Sequence, residues 1–227
     1  MALQHSPSIV TSGLVLCVDA GNPRSYSGSG TAWNDAISSG YNFTLTNGPV
    51  YSSSNLGYFT FDGVNDFASA SNNTALDTQT PTVEVWIKTN ATSQNGFWFE
   101  KGSVNTQYSL FQEGASIVWR QYMSSSSTLV SQYTTTSSYI STSNWAHIVG
   151  TYTSGSRITY INGVAVTSDS QTGTINTNTS GMYIGAYGTG TGYFYDGALS
   201  ICRVYNRVLS ATEILQNFNA LRGRYGI

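Results

Sequence analysis

The sequence predicts an all-β domain, a sandwich of antiparallel sheets, with one short helix near its C-terminus. Apolar and polar residues alternate in several short segments, an Asn-Gly pair joins two of them, and one stretch near the end has helical spacing. Alternation is typical of strands, because successive side chains of a strand point to opposite faces. No linker or internal repeat interrupts the pattern, so we expect a single domain spanning residues 1–227.

The strands are clearest in TVEVWIK, residues 82–88, where three β-branched residues alternate with Glu, Trp and Lys. HIVGTYT, ITYINGVAVT and MYIGAY have the same character. Within Ile158–Thr167, the pair Asn162-Gly163 suits the type I′ turn that matches strand twist, so this segment is predicted to be a hairpin.

A second hairpin is predicted around the segment FTFDGVNDF. In this segment Phe59 and Phe61 precede a five-residue corner, and Phe67 follows it. Gly, Asn and Asp are turn residues, because they tolerate left-handed backbone conformations or bond to nearby backbone groups.

The predicted helix covers residues 210–223. Ser210 and Glu213 form an S-x-x-E capping box, and Leu209 and Ile214 occupy the two staple positions. Apolar residues then recur at helical spacing up to the glycine that closes the predicted range. Such a stripe is typical of a helix that packs against a sheet.

The composition limits the classes of partner. Charged residues make up 9% of the chain, against roughly 25% in an average soluble protein, so neutral polar residues must cover the surface. This surface suits an extracellular or particle-bound protein, or one that packs against copies of itself. A net charge of −2 offers no basic face for nucleic acid.

The N-terminal sequence has no basic region, and its apolar run Gly13–Val18 is too short for a signal-peptide core or a membrane span. We therefore expect no secretion signal and no membrane insertion, and we predict that residues 1–12 form an N-terminal arm. The two cysteines, Cys17 and Cys202, lie in apolar strand-like runs near opposite ends of the chain. Free buried thiols are the simpler interpretation; a bridge between the first and last strands is the alternative.

The sequence shows no apparatus for catalysis. A glycoside hydrolase needs two carboxyl groups about 5–10 Å apart, yet no two of the eleven acidic residues are separated by a single residue. Glu84 stands alone on its strand, so a hydrolase would have to draw its pair from different strands. His5 lies at the start of the chain, and His147 fits a sheet position better than a general base.

Four residues could bind calcium, which prefers oxygen ligands. They are Asp62, Asn65 and Asp66 in the FDGVND corner, with Asp196 as a second contributor. The alternative is that Asp62 and Asp66 are turn residues whose side chains bond to nearby backbone.

Aromatic residues beside polar loops are the candidates for sugar binding, because an aromatic face can stack on a pyranose ring. These candidates are Trp98, Trp119, Tyr122, Tyr193 and Tyr195. The same residue types also occupy sheet faces simply because they pack well there.

The order of motifs resembles a known family. The chain contains GLVLCVDAGNPRSY, FTFDGVNDFA, VEVWIKTN, NWAHIVGTYTSGSRITYINGVAV and YDGALSICRVYNRVLSATEI in that order. In this order they resemble laminin G-like, concanavalin A-like lectin/glucanase domains, most of all the stand-alone versions among tailed-bacteriophage structural proteins.

The resemblance implies a jelly-roll sandwich with adjacent first and last strands, which would bring Cys17 and Cys202 close together. It also implies calcium in some relatives near Asp62–Asp66. This chain departs from the family in having Ser200 and Ile201 where relatives commonly carry an acidic pair, which removes negative charge from the region.

The resemblance and the low charge together favour a non-enzymatic virion structural protein of a tailed phage. Such a capsid decoration, head-fibre or tail-fibre protein would be made in the host cytoplasm, contact other virion proteins and form a homo-oligomer, with a trimer as the first expectation. The alternative is an adhesin that binds host polysaccharide. A glucanase-type hydrolase is the third hypothesis.

Overall fold

The computed structural model describes residues 7–37, 40–102, 107–124, 127–136, 139–188, 190 and 192–227. These residues form sixteen strands, one α-helix and two 3-10 turns at Ser54–Leu56 and Thr74–Leu76. The strands, in chain order, are β1 (Leu14–Asp19), β2 (Ala32–Trp33), β3 (Phe43–Thr46), β4 (Val50–Ser52), β5 (Tyr58–Asp62), β6 (Phe67–Ala70), β7 (Thr82–Thr89), β8 (Gly96–Lys101), β9 (Tyr108–Glu113), β10 (Ser116–Met123), β11 (Thr128–Thr135), β12 (Ala146–Thr153), β13 (Ser156–Ile161), β14 (Val164–Asp169), β15 (Met182–Ile184) and β16 (Asp196–Tyr205). The helix α1 covers Ala211–Tyr225.

The strands form two eight-stranded antiparallel sheets that pack face to face as a jelly-roll sandwich, as predicted. The back sheet has the order β14-β13-β12-β7-β16-β5-β4, and β1 also pairs with β16. The front sheet has the order β11-β10-β9-β8-β15-β6-β3-β2. The adjacency of the first and last strands, implied by the family resemblance, is confirmed.

One large hydrophobic core fills the space between the sheets. It takes Val83, Val85 and Ile87 from the back sheet, which are the apolar half of the alternation in TVEVWIK. Trp98 and Trp119 enter the same core from the front sheet. Burial of such side chains contributes about 1.5–3 kcal/mol each, so the alternation of β-branched and aromatic residues supplies the main stabilisation of the sandwich.

Helix α1 packs on the outer face of the back sheet. Its capping box is confirmed, since Ser210 and the Glu213 side chain satisfy each other's backbone N–H groups. The predicted end at Gly223 is wrong, because α1 continues to Tyr225 and Gly226 is its left-handed C-cap. Tyr225 stacks on Trp86 with the ring centroids 4.2 Å apart, and this contact explains why the last turn forms despite the glycine.

The two predicted hairpins have different outcomes. β13 and β14 form the Asn162-Gly163 hairpin, with φ angles of 51° and 81° at the turn, as a type I′ turn requires. The FDGVND corner is not a hairpin, because β5 belongs to the back sheet and β6 to the front sheet. The corner therefore carries the chain from one layer of the sandwich to the other.

The described part of the predicted N-terminal arm, residues 7–12, lies against the body of the domain. Val10 is buried, and its N–H donates to the side chain of Asn217 in α1 at 2.8 Å. Both cysteines are buried and free, as the simpler interpretation predicted. They point to opposite faces of the back sheet, because Val18 rather than Cys17 lies opposite Cys202. Within the described ranges, no helix has the length and apolar character needed to cross a bilayer.

Candidate functional site

Three of the five predicted sugar-binding aromatics are buried in the core, so their expected exposure is wrong. Trp98, Trp119 and Tyr195 each have 0% of their surface exposed. Trp119 points inward from β10, and its Nε1–H donates to the carbonyl oxygen of Thr151 in the opposite sheet at 3.0 Å. An irregularity between Phe97 and Phe99 places Trp98 in the core as well.

The other two predicted aromatics lie on the outer face of the front sheet. Tyr193 is 52% exposed, in the segment between β15 and β16, whereas Tyr122 is half-buried. The backbone of Tyr193 is held beside β8, because its carbonyl oxygen accepts from the Phe97 N–H at 3.3 Å. Tyr193 has a left-handed φ of 49°, a sparsely populated conformation for a residue other than glycine.

Beside Tyr193 lies a cleft of about 260 Å³, which we call the aromatic cleft. It opens on the outer face of the front sheet. Its lining residues come from β8, β9, β10 and the neighbouring segments, and they are Asn95, Phe97, Phe111, Gln112, Glu113, Arg120, Tyr187 and Tyr193.

The floor and walls of the aromatic cleft are rings. Phe97 and Phe111 stack in parallel on adjacent strands with their centroids 4.2 Å apart, and both are almost fully buried. Tyr187 lies 5.2 Å from Phe97, and Tyr193 meets Tyr187 edge to face at 5.9 Å. The two phenylalanines thus form a rigid base, and the two tyrosines form the accessible apolar surface.

The polar side of the aromatic cleft is an Arg–Glu pair. The guanidinium of Arg120 lies over the Phe111 ring, 4.3 Å from its centroid. Its Nε–H donates to Ser131 at 3.0 Å, and its Nη2 is 3.7 Å from Glu113. The Tyr133 hydroxyl also donates to Glu113 at 3.1 Å. The cleft therefore presents both donors and acceptors without net charge.

Sequence reasoning found Tyr193 but missed Phe97, Phe111, Glu113, Arg120 and Tyr187. The signal that could have found Arg120 is the alternation of β10, in which Trp119 and Arg120 must face opposite sides. Choosing Trp119 as the outward residue selected the wrong half of the pattern. Tyr187 ends the alternating segment MYIGAY, in which it shares a face with Tyr183, but β15 stops at Ile184 and Tyr187 lies in the irregular segment that follows.

The acidic corner uses its carboxylates for the backbone. Oδ1 of Asp62 accepts from the N–H groups of Val64, Asn65 and Asp66 at 2.8, 3.1 and 3.3 Å. These bonds, that from Val64 above all, lower the pKa of Asp62. Asp66 returns a bond through Oδ2, which accepts from the Asp62 N–H at 3.2 Å. Burial, followed by the charge of Asp62, raises the pKa of Asp66.

Each of the four predicted calcium ligands bonds to another group of the protein in this arrangement. Asp196 lies opposite Asp62 across the β5–β16 pair, but its Oδ1 accepts from Asn90 at 2.6 Å. The Asn65 carbonyl accepts from Asn47 at 2.8 Å. Among the residues that the structure describes, no group of three His, Cys, Asp or Glu side chains is arranged to hold a metal ion. The contacts of Asp62 and Asp66 are those of turn residues.

Glu84, the acid named for the hydrolase hypothesis, lies beneath α1 and is fully buried, so its carboxylate has no contact with solvent. Its Oε1 is 2.7 Å from Arg203 Nη1 and 3.2 Å from His147 Nε2, and its Oε2 accepts from Asn217 at 2.7 Å. His147 is also fully buried and stacks on Trp86, as expected of a sheet histidine. His5 lies outside the described residues.

Comparison with known proteins agrees with this architecture. The family model described as the concanavalin A-like lectin/glucanases superfamily, of laminin G type, matches residues 62–215, which is more than half of the chain. No curated protein matches the sequence.

Solved structures match over nearly the whole chain. The binding domain of Paraclostridial Mosquitocidal Protein 1 superposes with a TM-score of 0.73 and 18% identity, covering 92% of this chain and 52% of that one. The botulinum neurotoxin serotype G binding domain superposes with a TM-score of 0.71 and 16% identity, covering 90% of this chain and 50% of that one.

A Trypanosoma rangeli sialidase in complex with sialic acid superposes with a TM-score of 0.69 and 15% identity, covering 96% of this chain and 34% of that one. The chain thus spans about half of the matched toxin domains and about a third of the sialidase. At these identities the matches establish the fold alone. By its fold and by the family model that covers most of its length, the chain belongs to the laminin G-like branch of the concanavalin A-like lectin/glucanase superfamily.

Proposed function

We propose that this domain is a non-enzymatic carbohydrate-recognition module that binds a sugar in the aromatic cleft. The observation that carries the proposal is the arrangement of Tyr187 and Tyr193 as accessible rings beside the neutral Arg120–Glu113 pair. Ligand sites commonly combine an apolar surface with a few placed polar groups. A sugar has one apolar ring face and many hydroxyl groups, so it matches this combination.

The chemistry of the aromatic cleft favours a neutral sugar. Arg120 would attract a carboxylate, but Glu113 lies 3.7 Å away and cancels its charge. Together the two side chains offer N–H donors and carboxylate acceptors to neighbouring hydroxyl groups.

The non-enzymatic part of the proposal rests on the acids near the cleft. Glu113 is the one acidic residue that lines it among the described residues, and it already accepts bonds from Tyr133 and pairs with Arg120. Glycoside hydrolysis uses two carboxyl groups across the scissile bond.

A glycan array carrying neutral, uronic and sialylated glycans tests the proposal, followed by titration of the purified protein. We expect neutral glycans to bind. Tyr193→Ala should weaken binding by at least about tenfold, a loss of roughly 1.4 kcal/mol, and change the stability by less than about 0.5 kcal/mol, because Tyr193 is exposed.

Tyr122→Ala is the matched control. Tyr122 lies on the same outer face but does not line the aromatic cleft, so this variant should bind normally. An array without any bound glycan, or equal binding by Tyr193→Ala and the unchanged protein, would contradict the proposal.

We also propose that the domain is displayed on a particle, as a virion component of a tailed phage that acts as a homo-oligomer. Two observations support this: the motif order, and a surface with few charges and several exposed apolar side chains, such as Val50, Val64 and Val164. Electron microscopy of particles and sedimentation of the purified protein test it. A monomer that fails to bind phage particles lacking it would contradict this second proposal.

A further inference from the structure

We propose that a second groove on the front sheet is another sugar subsite, so that the ligand is an extended neutral glycan and not a single terminal sugar. This inference rests on the proposed carbohydrate binding and adds its ligand class. The groove, which we call the polar groove, has a volume of about 560 Å³ and opens over β3, β6 and β15.

The aromatic cleft and the polar groove lie on one face of one sheet. Strand pairing connects them through a row of directly opposed residues, one on each strand, and opposed residues point to the same side. From β11 to β2 the row is Ser131, Arg120, Ser109, Glu100, Tyr183, Ser69, Thr44 and Ala32. Arg120 lines the aromatic cleft, and Tyr183, Ser69 and Thr44 line the polar groove.

The distance between the two sites along this row sets the minimum length of a ligand that can fill both. Arg120 and Tyr183 are three strands apart, which is about 14 Å at the usual distance between neighbouring strands. A single pyranose cannot contact both side chains. A linear chain of three or more sugar units can reach both sites.

The lining of the polar groove selects for hydroxyl groups. It consists of neutral hydroxyl and amide side chains, including Asn42, Thr44, Ser69, Asn72 and Thr179, with one ring from Tyr183. Neutral groups of this kind donate to and accept from hydroxyls, but they offer no charge to balance a uronate or a phosphate. The groove therefore matches a neutral glycan.

A fully buried ammonium group organises the polar groove from below. Nζ of Lys101 donates to Asn72 Oδ1 at 2.7 Å and to the carbonyl oxygens of Ser180 and Asn178 at 3.1 and 3.4 Å. An ammonium group can only donate, so the Asn72 amide must present its oxygen to Lys101, and this bond fixes a side chain that lines the groove. The same contacts fix the backbone on both sides of Thr179. Lys101 is thus a positioning residue.

Glu100 lies in the middle of the row, between the two sites. Its carboxylate is buried and accepts from the Gly188 N–H. Burial, and then the nearby Glu100 charge, raises the pKa of both Tyr183 and Tyr187. Glu100 is therefore the residue opposite Tyr183 in the β8–β15 pair and also accepts from the residue that follows Tyr187.

The test is a titration with neutral linear oligosaccharides of one to six units, taken from the series that binds on the array. We expect the affinity to rise with length until both sites are filled. Thr44→Trp places a bulky side chain in the polar groove from an exposed strand position. It should weaken the binding of the longest oligosaccharide by at least about tenfold and leave monosaccharide binding unchanged.

Thr135→Trp is the matched control. It places the same side chain on the exposed edge strand β11, outside both sites, and should bind all lengths normally. Asn72→Ala, tested beside it, should weaken only the longer oligosaccharides.

The possible outcomes separate the two proposals. Affinity that does not change with length, normal binding of long oligosaccharides by Thr44→Trp, or a preference for uronic polymers would overturn this inference and leave the aromatic cleft as a single-sugar site. An array without any bound glycan would overturn the proposed function, and this inference with it.

Discussion

The outer faces of the two sheets use the same kinds of residue in opposite ways. The back sheet is covered by α1, and its Glu84–Arg203 pair is almost fully buried together with His147 and Trp86. The outer face of the front sheet is covered only in part, by the segment between β15 and β16, and the Arg120–Glu113 pair there is partly exposed, at 15% and 42% of the side-chain surfaces.

Covering one face of a sheet changes how much an ion pair on that face contributes to the free energy of unfolding. Beneath α1, removing one member of a pair leaves an uncompensated charge away from water, which is costly. On the front face, water solvates whichever partner remains, so an exposed pair contributes little. The back face thus contributes more to stability, and the front face keeps polar groups accessible to solvent.

The largest expected effect is that of Arg203→Ala. It should lower the free energy of unfolding by about 3–5 kcal/mol, because Glu84 then remains buried without its cation. Arg120→Ala is the matched control on the front face, with an expected loss of about 1 kcal/mol. Urea unfolding of both variants measures the contrast, and equal losses would contradict the distinction between the two faces.

The same cluster should make the domain sensitive to acid. Burial alone would raise the pKa of Glu84, but Arg203 and His147 outweigh it and lower the pKa to about 2. A glutamate in the unfolded chain has a pKa of about 4.3, so the unfolded state binds this proton more readily than the folded state does. The stabilisation is complete above about pH 5 and is lost as the pH falls toward 2.

Urea unfolding between pH 2 and 7 checks this prediction. Glu84→Gln should lose less stability on acidification than the unchanged protein, because the titrating group is gone, even though the variant starts from a lower stability. Parallel pH profiles would assign the acid sensitivity to other carboxylates.

A smaller effect is expected at the start of the helix that covers the back sheet. Ser210→Ala removes the side chain that accepts from the Glu213 N–H at 3.3 Å, and it should cost about 1 kcal/mol. Ser210→Asp keeps the cap and serves as the control. Thermal unfolding measures both, and no difference between them would mean that packing of α1 alone determines its start.

The smallest effect concerns the corner that joins the two sheets. Asp62→Ala removes an acceptor for three backbone N–H groups and should cost about 0.5–1 kcal/mol, because the site is exposed to water. Calcium should leave the melting temperature of both proteins unchanged, since these carboxylates bond to the backbone. A rise with calcium that disappears in Asp62→Ala would restore the metal interpretation.

Local sequence patterns predicted the structural features that depend on residues close together in the chain. The Asn162-Gly163 turn, the Ser210–Glu213 capping box and the alternating strands are all observed. The predicted position of the end of α1 was wrong, because packing of Tyr225 on Trp86 outweighs the poor helix propensity of Gly223.

The candidate site was predicted only in part. Alternation indicates that Trp119 and Arg120 face opposite sides, but it does not indicate which side is the core. The irregularity that turns Trp98 inward arises from pairing with β9, a strand that the local sequence does not identify. The FDGVND corner has the composition of a hairpin turn, and only the partners of β5 and β6 distinguish a hairpin from a crossing between layers.

The class of fold, the predicted helix with its start, and the low-charge surface followed from the chain alone, because periodicity, capping chemistry and composition are local properties. The alternation in TVEVWIK also marked the apolar face that enters the core. Tertiary packing was needed to show which face of β10 is buried, which sheet α1 covers, and where Tyr187, Tyr193 and Arg120 meet. These properties depend on pairing between distant segments, and β10 carries large side chains on both faces, so its sequence does not show which face a second layer covers.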